Sequence, residues 1–347
     1  MPSIEYFEII RILFLFAISF VVAICLTPLL THFLYKYKLG KNIRSNGKTP
    51  IYTKLHEKKA GTPTMGGIII WLTTLILAIL FYYLAKLVPT LKELNFLDRA
   101  ETLLPLGALI ASAIIGLFDD WLDICNKKGG GFKMRYRALI FTAIAIIGAL
   151  WFYYKLDWDV IHIPFWTNLE IGWWYIPIFI GIIFATSFSV NETDGLDGLA
   201  GGSLLSGFAA YGVISFLLGR YELAAFCGVI SGALLAFLWF NIYPARFFMG
   251  DTGSMSLGVT LGIIAMLTNY MLLLPIIGFI FVVESMSVII QISSRAILKK
   301  KVFRSAPIHH HFEAMGWPEP KIVMRFWIVS AVMASLGIVL FLLDKGF

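Results

Sequence analysis

Charge and cysteine are both scarce in this chain. Only 14% of its 347 residues are Asp, Glu, Lys or Arg, where a soluble globular domain carries about 25%. Its three cysteines, Cys25, Cys125 and Cys227, stand far apart. That spacing excludes a disulfide framework and a thiolate metal site, and each cysteine reads as a small apolar core residue. No polar stretch is long enough to build a separate soluble domain, and no repeat of solenoid period is visible. What fills the chain is apolar: 59% of residues are hydrophobic, and the mean hydropathy is +0.82.

An apolar run of about 20 residues is long enough to cross a bilayer. Ten such runs are expected, at roughly 7–34, 66–86, 103–121, 137–154, 174–190, 199–218, 222–241, 253–272, 275–298 and 326–343. Backbone groups in lipid must be satisfied within the segment, so the spans should be helices. The first is too long for a signal peptide, and Glu5 and Glu8 stand where a basic region would be, so it reads as a retained span. The expected fold is an all-α integral membrane protein, residues 1–347 forming one polytopic domain. Two outer segments have patterns of their own. The stretch 158–174 alternates around a Thr-Asn pair and predicts a small β-hairpin with a structural His162, and 89–102 predicts a short interfacial helix.

The net charge of +7 is unevenly placed. Lys36, Lys38, Lys41, Arg44, Lys48, Lys54, Lys58 and Lys59 follow the first span. Lys127, Lys128, Lys133, Arg135 and Arg137 follow the third, and Lys299, Lys300, Lys301, Arg304, Lys321 and Arg325 the ninth. The alternate loops hold few bases. The positive-inside rule then puts both termini outside, with the cytoplasmic loops at about 36–65, 119–136, 191–198, 241–252 and 299–325. A basic balance spent this way needs no nucleic-acid partner.

Carboxylates gather on that same face. Asp119 and Asp120 end the third span in "GLFDDW"; Asn191, Asp194 and Asp197 lie in "NETDGLDGLAGG"; Asn241 and Asp251 lie in "NIYPARFFMGDTGS". Glu284 falls inside the ninth span. Ionisable groups at a membrane are costly and are functional candidates by default. One aspartate here serves equally well as a helix cap. Five on one face invite a divalent cation, and oxygen donors without thiolates suit Mg²⁺ or Mn²⁺. Glycines at helix starts let backbone N–H groups approach an anion, and "KKAGTPTMGG" adds Lys59, Thr62 and Thr64. Carboxylates for a metal and lysines for phosphates together suit phosphoryl transfer. A transporter would keep its charges nearer the midplane.

"KKAGTPTMGG", "GLFDDW", "NETDGLDGLAGG", "FNIYPARFFMGDTGS" and "APIHHHFEAMGWPEPKIVMRFW" resemble, in order and spacing, the phospho-N-acetylmuramoyl-pentapeptide transferase family. That family belongs to the polyprenyl-phosphate N-acetylhexosamine-1-phosphate transferases, and the histidine block is its specific part. The resemblance implies a Mg²⁺-dependent enzyme of the bacterial inner membrane with its site facing the cytoplasm, and a homodimer. It would join undecaprenyl phosphate and UDP-N-acetylmuramoyl-pentapeptide into lipid I and UMP for peptidoglycan synthesis. It also implies roles. Asp251 would bind the metal, with Asp119 and Asp120 as further ligands or handlers of the acceptor phosphate. Asn191, Asp194, Asp197, Asn241 and Phe248 would line the uridine pocket; Lys59, Thr64 and Lys127 would meet the nucleotide or its phosphates. Asp123 stands where the family often has lysine. Of the run His309, His310 and His311, at most two can face one site, since successive helical residues point about 100° apart. His309 and His310 are expected at the substrate, with His311 orienting the loop; a metal site and a purely structural loop are the competing uses. The rival readings are an N-acetylglucosamine-1-phosphate transferase and a transporter or flippase.

Overall fold

A computed structural model describes residues 2–40, 59, 61–97, 101–126 and 131–346. The apolar runs are helices: α1 (Pro2–Lys36), α2 (Ile68–Leu87), α3 (Leu103–Cys125), α4 (Met134–Lys155), α5 (Tyr175–Thr193), α6 (Leu199–Leu217), α7 (Tyr221–Asn241), α8 (Asp251–Leu267), α9 (Phe279–Ile297), α10 (Ile308–Ala314) and α11 (Glu319–Lys345). A single turn, Leu274–Ile277, precedes α9. Among the described residues nine helices are long and apolar enough to cross a membrane. The tenth expected span is α8, which has 17 residues, about 26 Å at 1.5 Å per residue.

Several boundaries differ from expectation, two of them for physical reasons. α3 continues past Asp119 and Asp120 to Cys125 because those aspartates, with Gly116 and Asp123, form a buried face at helical spacing. α11 begins at Glu319, seven residues early, because Pro320 tolerates the first turn and Glu319 favours a helix N-terminus. Among the described residues of 89–102, the helical stretch is 3₁₀, Pro89–Leu94.

α8 is the centre of the bundle, buried from Thr252 to Leu267. α3 and α5 pack on it, α4 on α5, α7 on α1 and α6, and α11 on α6. Gly116 makes the α3–α8 approach possible, since a Cβ there would lie 2.4 Å from the Asp251 carbonyl oxygen. The N-terminus of α8 is therefore fixed in the core, with its first residues turned toward the ends of α3 and α5.

The hairpin exists as two antiparallel strands, β1 (Val160–His162) and β2 (Asn168–Glu170), with His162 paired to Asn168. Its turn is the five residues 163–167, not the Thr-Asn pair, because Asn168 is taken into the strand. His162 Nε2 lies 2.7 Å from Asp344 Oδ2 and Nδ1 2.7 Å from Asn168 Oδ1. The Tyr270 hydroxyl also donates to Asp344 at 2.8 Å, so His162 ties the hairpin to the end of α11.

Candidate active site

The carboxylates converge on the start of α8. Gly250 has φ 75° and ψ 174°, a backbone region essentially reserved for glycine. The turn it makes directs the Asp251 and Thr252 N–H groups at Asp120, whose two oxygens accept them at 3.0 and 3.1 Å. Asp120 thereby neutralises the positive end of α8. A Cβ on Gly250 would lie 2.4 Å from Asp120 Oδ2 and 2.7 Å from Thr64 Oγ1, so three chain segments meet there. The Thr64 hydroxyl is buried with no hydrogen-bond partner among the described residues.

Asp119 points to the other side of this junction. Arg137, at the start of α4, bridges it to Asp251: Nε meets Asp119 Oδ2, and Nη2 lies 2.6 Å from Asp251 Oδ2. The Phe132 N–H also donates to Asp119. Asn191, in the last turn of α5, donates to Asp251 Oδ1 at 2.7 Å and to Ser254 Oγ at 2.9 Å. Two carboxylates are thus held around one guanidinium, with an amide fixing the second. Arg137 is a residue that sequence reasoning missed. It was one base among five in a loop, and only its place in α4 singles it out.

A second cluster adjoins the first through the segment 242–250. Lys59 Nζ lies 2.6 Å from both Asp197 Oδ1 and Glu319 Oε1. Its ammonium also stands 6.0 Å from the Tyr243 ring and 5.9 Å from the Phe248 ring, within cation–π range. Burial opposes its charge, yet Glu319 and Asp197 outweigh that and hold Lys59 above its ordinary value. Asp197 also accepts from Ala245 N at 3.0 Å. Asn241 accepts from Gly198 N at 2.9 Å and donates to the Phe247 carbonyl at 2.8 Å, which locks the two loops together. Phe248 is placed by its backbone, which bonds Pro63 and Gly66, each at 2.8 Å. Asp194 caps the C-terminus of α5, half-buried, with its N–H 3.2 Å from the Asn191 carbonyl. Glu319 is a second omission, present in "GWPEPK" but unassigned.

The three histidines divide their work. His309 is wholly buried; its Nδ1 lies 3.0 Å from Glu284 Oε2, also wholly buried. The pair lacks hydrogen-bond alignment, so the contact is mainly one of charge. The other face of the ring lies on Gly195, where a Cβ would come within 2.2 Å of Nε2. Burial disfavours the charged imidazole, but Glu284 and then Glu313 and Glu319 prevail and raise its pKa. His310 stacks edge-on against it and bonds Glu313 Oε2 at 2.6 Å. His311 Nδ1 accepts from the Arg304 N–H at 3.1 Å, tying α10 to the preceding loop. In this structure His309 supports the 191–198 loop from beneath. Asp123 is buried on α3, and Lys127 lies outside the described residues.

The chain matches the Glycosyl transferase family 4 model over residues 102–269 and the phospho-N-acetylmuramoyl-pentapeptide-transferase signature 1 over residues 59–70. It is 41% identical over 351 aligned positions to the phospho-N-acetylmuramoyl-pentapeptide-transferase of Chloroflexus aggregans, covering 97% of this chain and 91% of that protein. The chain belongs to the phospho-N-acetylmuramoyl-pentapeptide-transferase family. The transferases of that name from Geobacillus thermodenitrificans and Clostridium novyi are 40% and 38% identical, with 93% and 95% of this chain aligned. The family signature begins at Lys59 and includes Thr64, while the larger match takes in Asp119, Arg137, Asn191 and Asp251. Each of the two matches therefore takes in residues of both clusters.

Proposed function

We propose that this chain transfers phospho-N-acetylmuramoyl-pentapeptide from its UDP carrier to undecaprenyl phosphate, giving lipid I and UMP for peptidoglycan synthesis. The observation that carries the reading is the 41% identity across 97% of the chain to a transferase of that name. The Asp119–Arg137–Asp251 arrangement agrees with it, because phosphoryl transfer asks a protein mainly to position groups and offset charge.

A Mg²⁺ ion fits the residues present. Asp251 and Asp119 offer hard oxygen donors, a guanidinium already brings positive charge between them, and the Thr64 hydroxyl, on the Asp120 side of the junction, is buried with no partner among the described residues. Among the described residues no three His, Cys, Asp or Glu side chains form a metal cage, so the ion would have to share its coordination with substrate phosphates. Asp251 and Asp119 would hold it, with Asp120 engaged by the backbone of α8. When bound, it would offset the charge of the diphosphate and the leaving UMP.

The remaining steps belong to the chain. Lys59, between Tyr243 and Phe248, meets the nucleotide with charge and ring faces, while Asp194, Asp197 and Asn241 hold the loops around it. A lipid phosphate oxygen attacks the phosphorus bearing the sugar. The new P–O bond forms as the bond to the UMP oxygen breaks, and that electron pair leaves with UMP. A phosphate monoester loses its second proton near pH 6, so the attacking oxygen needs no base from Asp119.

In this reading α8 is a tenth, short crossing, both termini lie outside with the hairpin, and the site faces the cytoplasm of the bacterial inner membrane. The resemblance also supports a homodimer. The test is UMP release by purified protein with undecaprenyl phosphate and Mg²⁺. UDP-N-acetylmuramoyl-pentapeptide should yield UMP and UDP-N-acetylglucosamine none. The reverse preference points to the N-acetylglucosamine-1-phosphate rival, and no UMP from either to a transporter.

A further inference from the structure

Outside both clusters but next to the segment that joins them, the last turns of α1 build a cavity with basic side chains on its wall. Pro28, Thr31, His32, Tyr35 and Lys36 recur at spacings of three and four, so they share one helix face. With Arg246 they line a cavity of ≈ 530 Å³. The Tyr35 hydroxyl donates to the Arg246 carbonyl at 2.9 Å, which closes one wall. No acidic side chain among the described residues lines it. Among the described residues His32, Lys36 and Arg246 enter no ion pair. Lys36 and Arg246 are exposed, and the Arg246 guanidinium is laid over Phe240 at 5.6 Å.

Two further features point to a ligand class. The cavity sits where an apolar span gives way to a basic loop, which is the headgroup level of a bilayer. Beside the polar face, at the adjoining helix positions, Leu29 and Phe33 are 69% and 52% exposed. A cationic pocket with an apolar flank matches a phosphate attached to acyl chains. Exposed Lys or Arg at such a surface contribute about 1 kcal/mol each toward anionic lipid.

We propose that this cavity binds the phosphate headgroup of an anionic membrane phospholipid and thereby steadies the segment that carries Arg246. That segment reaches the candidate site within a few residues: Ala245 N bonds Asp197, and Phe248 stands beside Lys59. No residue lining the cavity belongs to either cluster, so the proposal stands whether or not the transferase reading does.

The test is native mass spectrometry of full-length protein, stripped of lipid in detergent and titrated with phosphatidylglycerol. Lys36→Gln/Arg246→Gln should weaken the tightest phosphatidylglycerol site roughly 10- to 30-fold, from about 1 kcal/mol per charge. Lys299→Gln/Lys301→Gln, an exposed pair on the loop after α9, removes the same charge elsewhere and should change it less than about twofold. Phosphatidylcholine should bind wild type no better than phosphatidylglycerol binds the double variant. Both variants must elute as single peaks, and Arg246→Lys, which keeps the charge, should retain most of the affinity. Equal weakening by the two pairs, or none by either, overturns the site. Displacement by inorganic phosphate at the lipid's own concentration overturns the lipid assignment, and a strong preference for undecaprenyl phosphate overturns the phospholipid one.

Discussion

At the scale of single residues, the chemistry rests on which carboxylate is already committed. Asp120 uses both oxygens on the backbone of α8. Asp251 faces Arg137 and Asn191, with its side chain 15% exposed against 2% for Asp119, so a substrate phosphate or cation reaches it first. Asp251→Ala should abolish UMP release, whereas Asp119→Asn, which still accepts from Phe132 and Arg137, should leave measurable activity. A phosphorylated Asp119 trapped after mixing with the UDP-sugar would defeat the one-step route. The buried His309–Glu284 pair gives a second residue-scale expectation. His309 has its pKa raised in the folded state, so its stabilisation is complete below about pH 6.5, the unfolded value. It is lost as pH rises through the folded value. Removing one partner of a buried pair costs at most about 3–5 kcal/mol. The thermal midpoint of Glu284→Gln should therefore fall below wild type at pH 6 and approach it as the pH rises; a gap that widens with pH would refute the ion pair. The aspartates were legible in the sequence because charge in an apolar chain stands out. Arg137, Glu313 and Glu319 were not, because they sit among other polar residues and only the fold selects them.

At the scale of elements, one turn does most of the positioning. Gly250 opens α8 with a positive φ and leaves no room for a Cβ against Asp120 and Thr64. Gly250→Ala should add about 1–3 kcal/mol of backbone strain and push Asp120 off the α8 N-terminus. The expected result is a lower thermal midpoint in detergent and UMP release reduced at least tenfold. Gly107→Ala, on α3 with nothing within 4 Å of its added Cβ, is the control and should change neither. Equal tolerance at both positions would mean that the Asp120–α8 contact does not hold the site. The sequence announced a glycine-rich helix start here but not its partner, because hydropathy locates a span's middle and is silent on which buried face an aspartate takes. The same blindness explains α3, whose polar last turn looked like loop until Gly116, Asp119, Asp120 and Asp123 proved to share one buried stripe.

At the scale of the whole molecule, nine of the ten expected spans were legible as long apolar helices among the described residues, because lipid permits no other solution for so long a hydrophobic stretch. Their sidedness is a separate matter, set by lysines and arginines whose loops are counted, not seen. It decides whether Asp119, Lys59 and the histidines meet a cytosolic nucleotide at all. If α11 crosses the membrane, as its length and composition allow, its end and the loop after α9 lie on opposite faces. In a background with Cys25, Cys125 and Cys227 replaced by serine or alanine, Lys345→Cys should react with a membrane-impermeant maleimide in right-side-out vesicles. Lys299→Cys should react only in inverted ones. Lys345 and Lys299 are both exposed, so labelling reports the side and not burial. If both positions label from the same face, α11 does not carry the chain across between them, and if the two patterns are exchanged the site faces away from the cytosol. The exchanged pattern would separate Lys59 and its carboxylates from any UDP-linked donor, whatever their geometry.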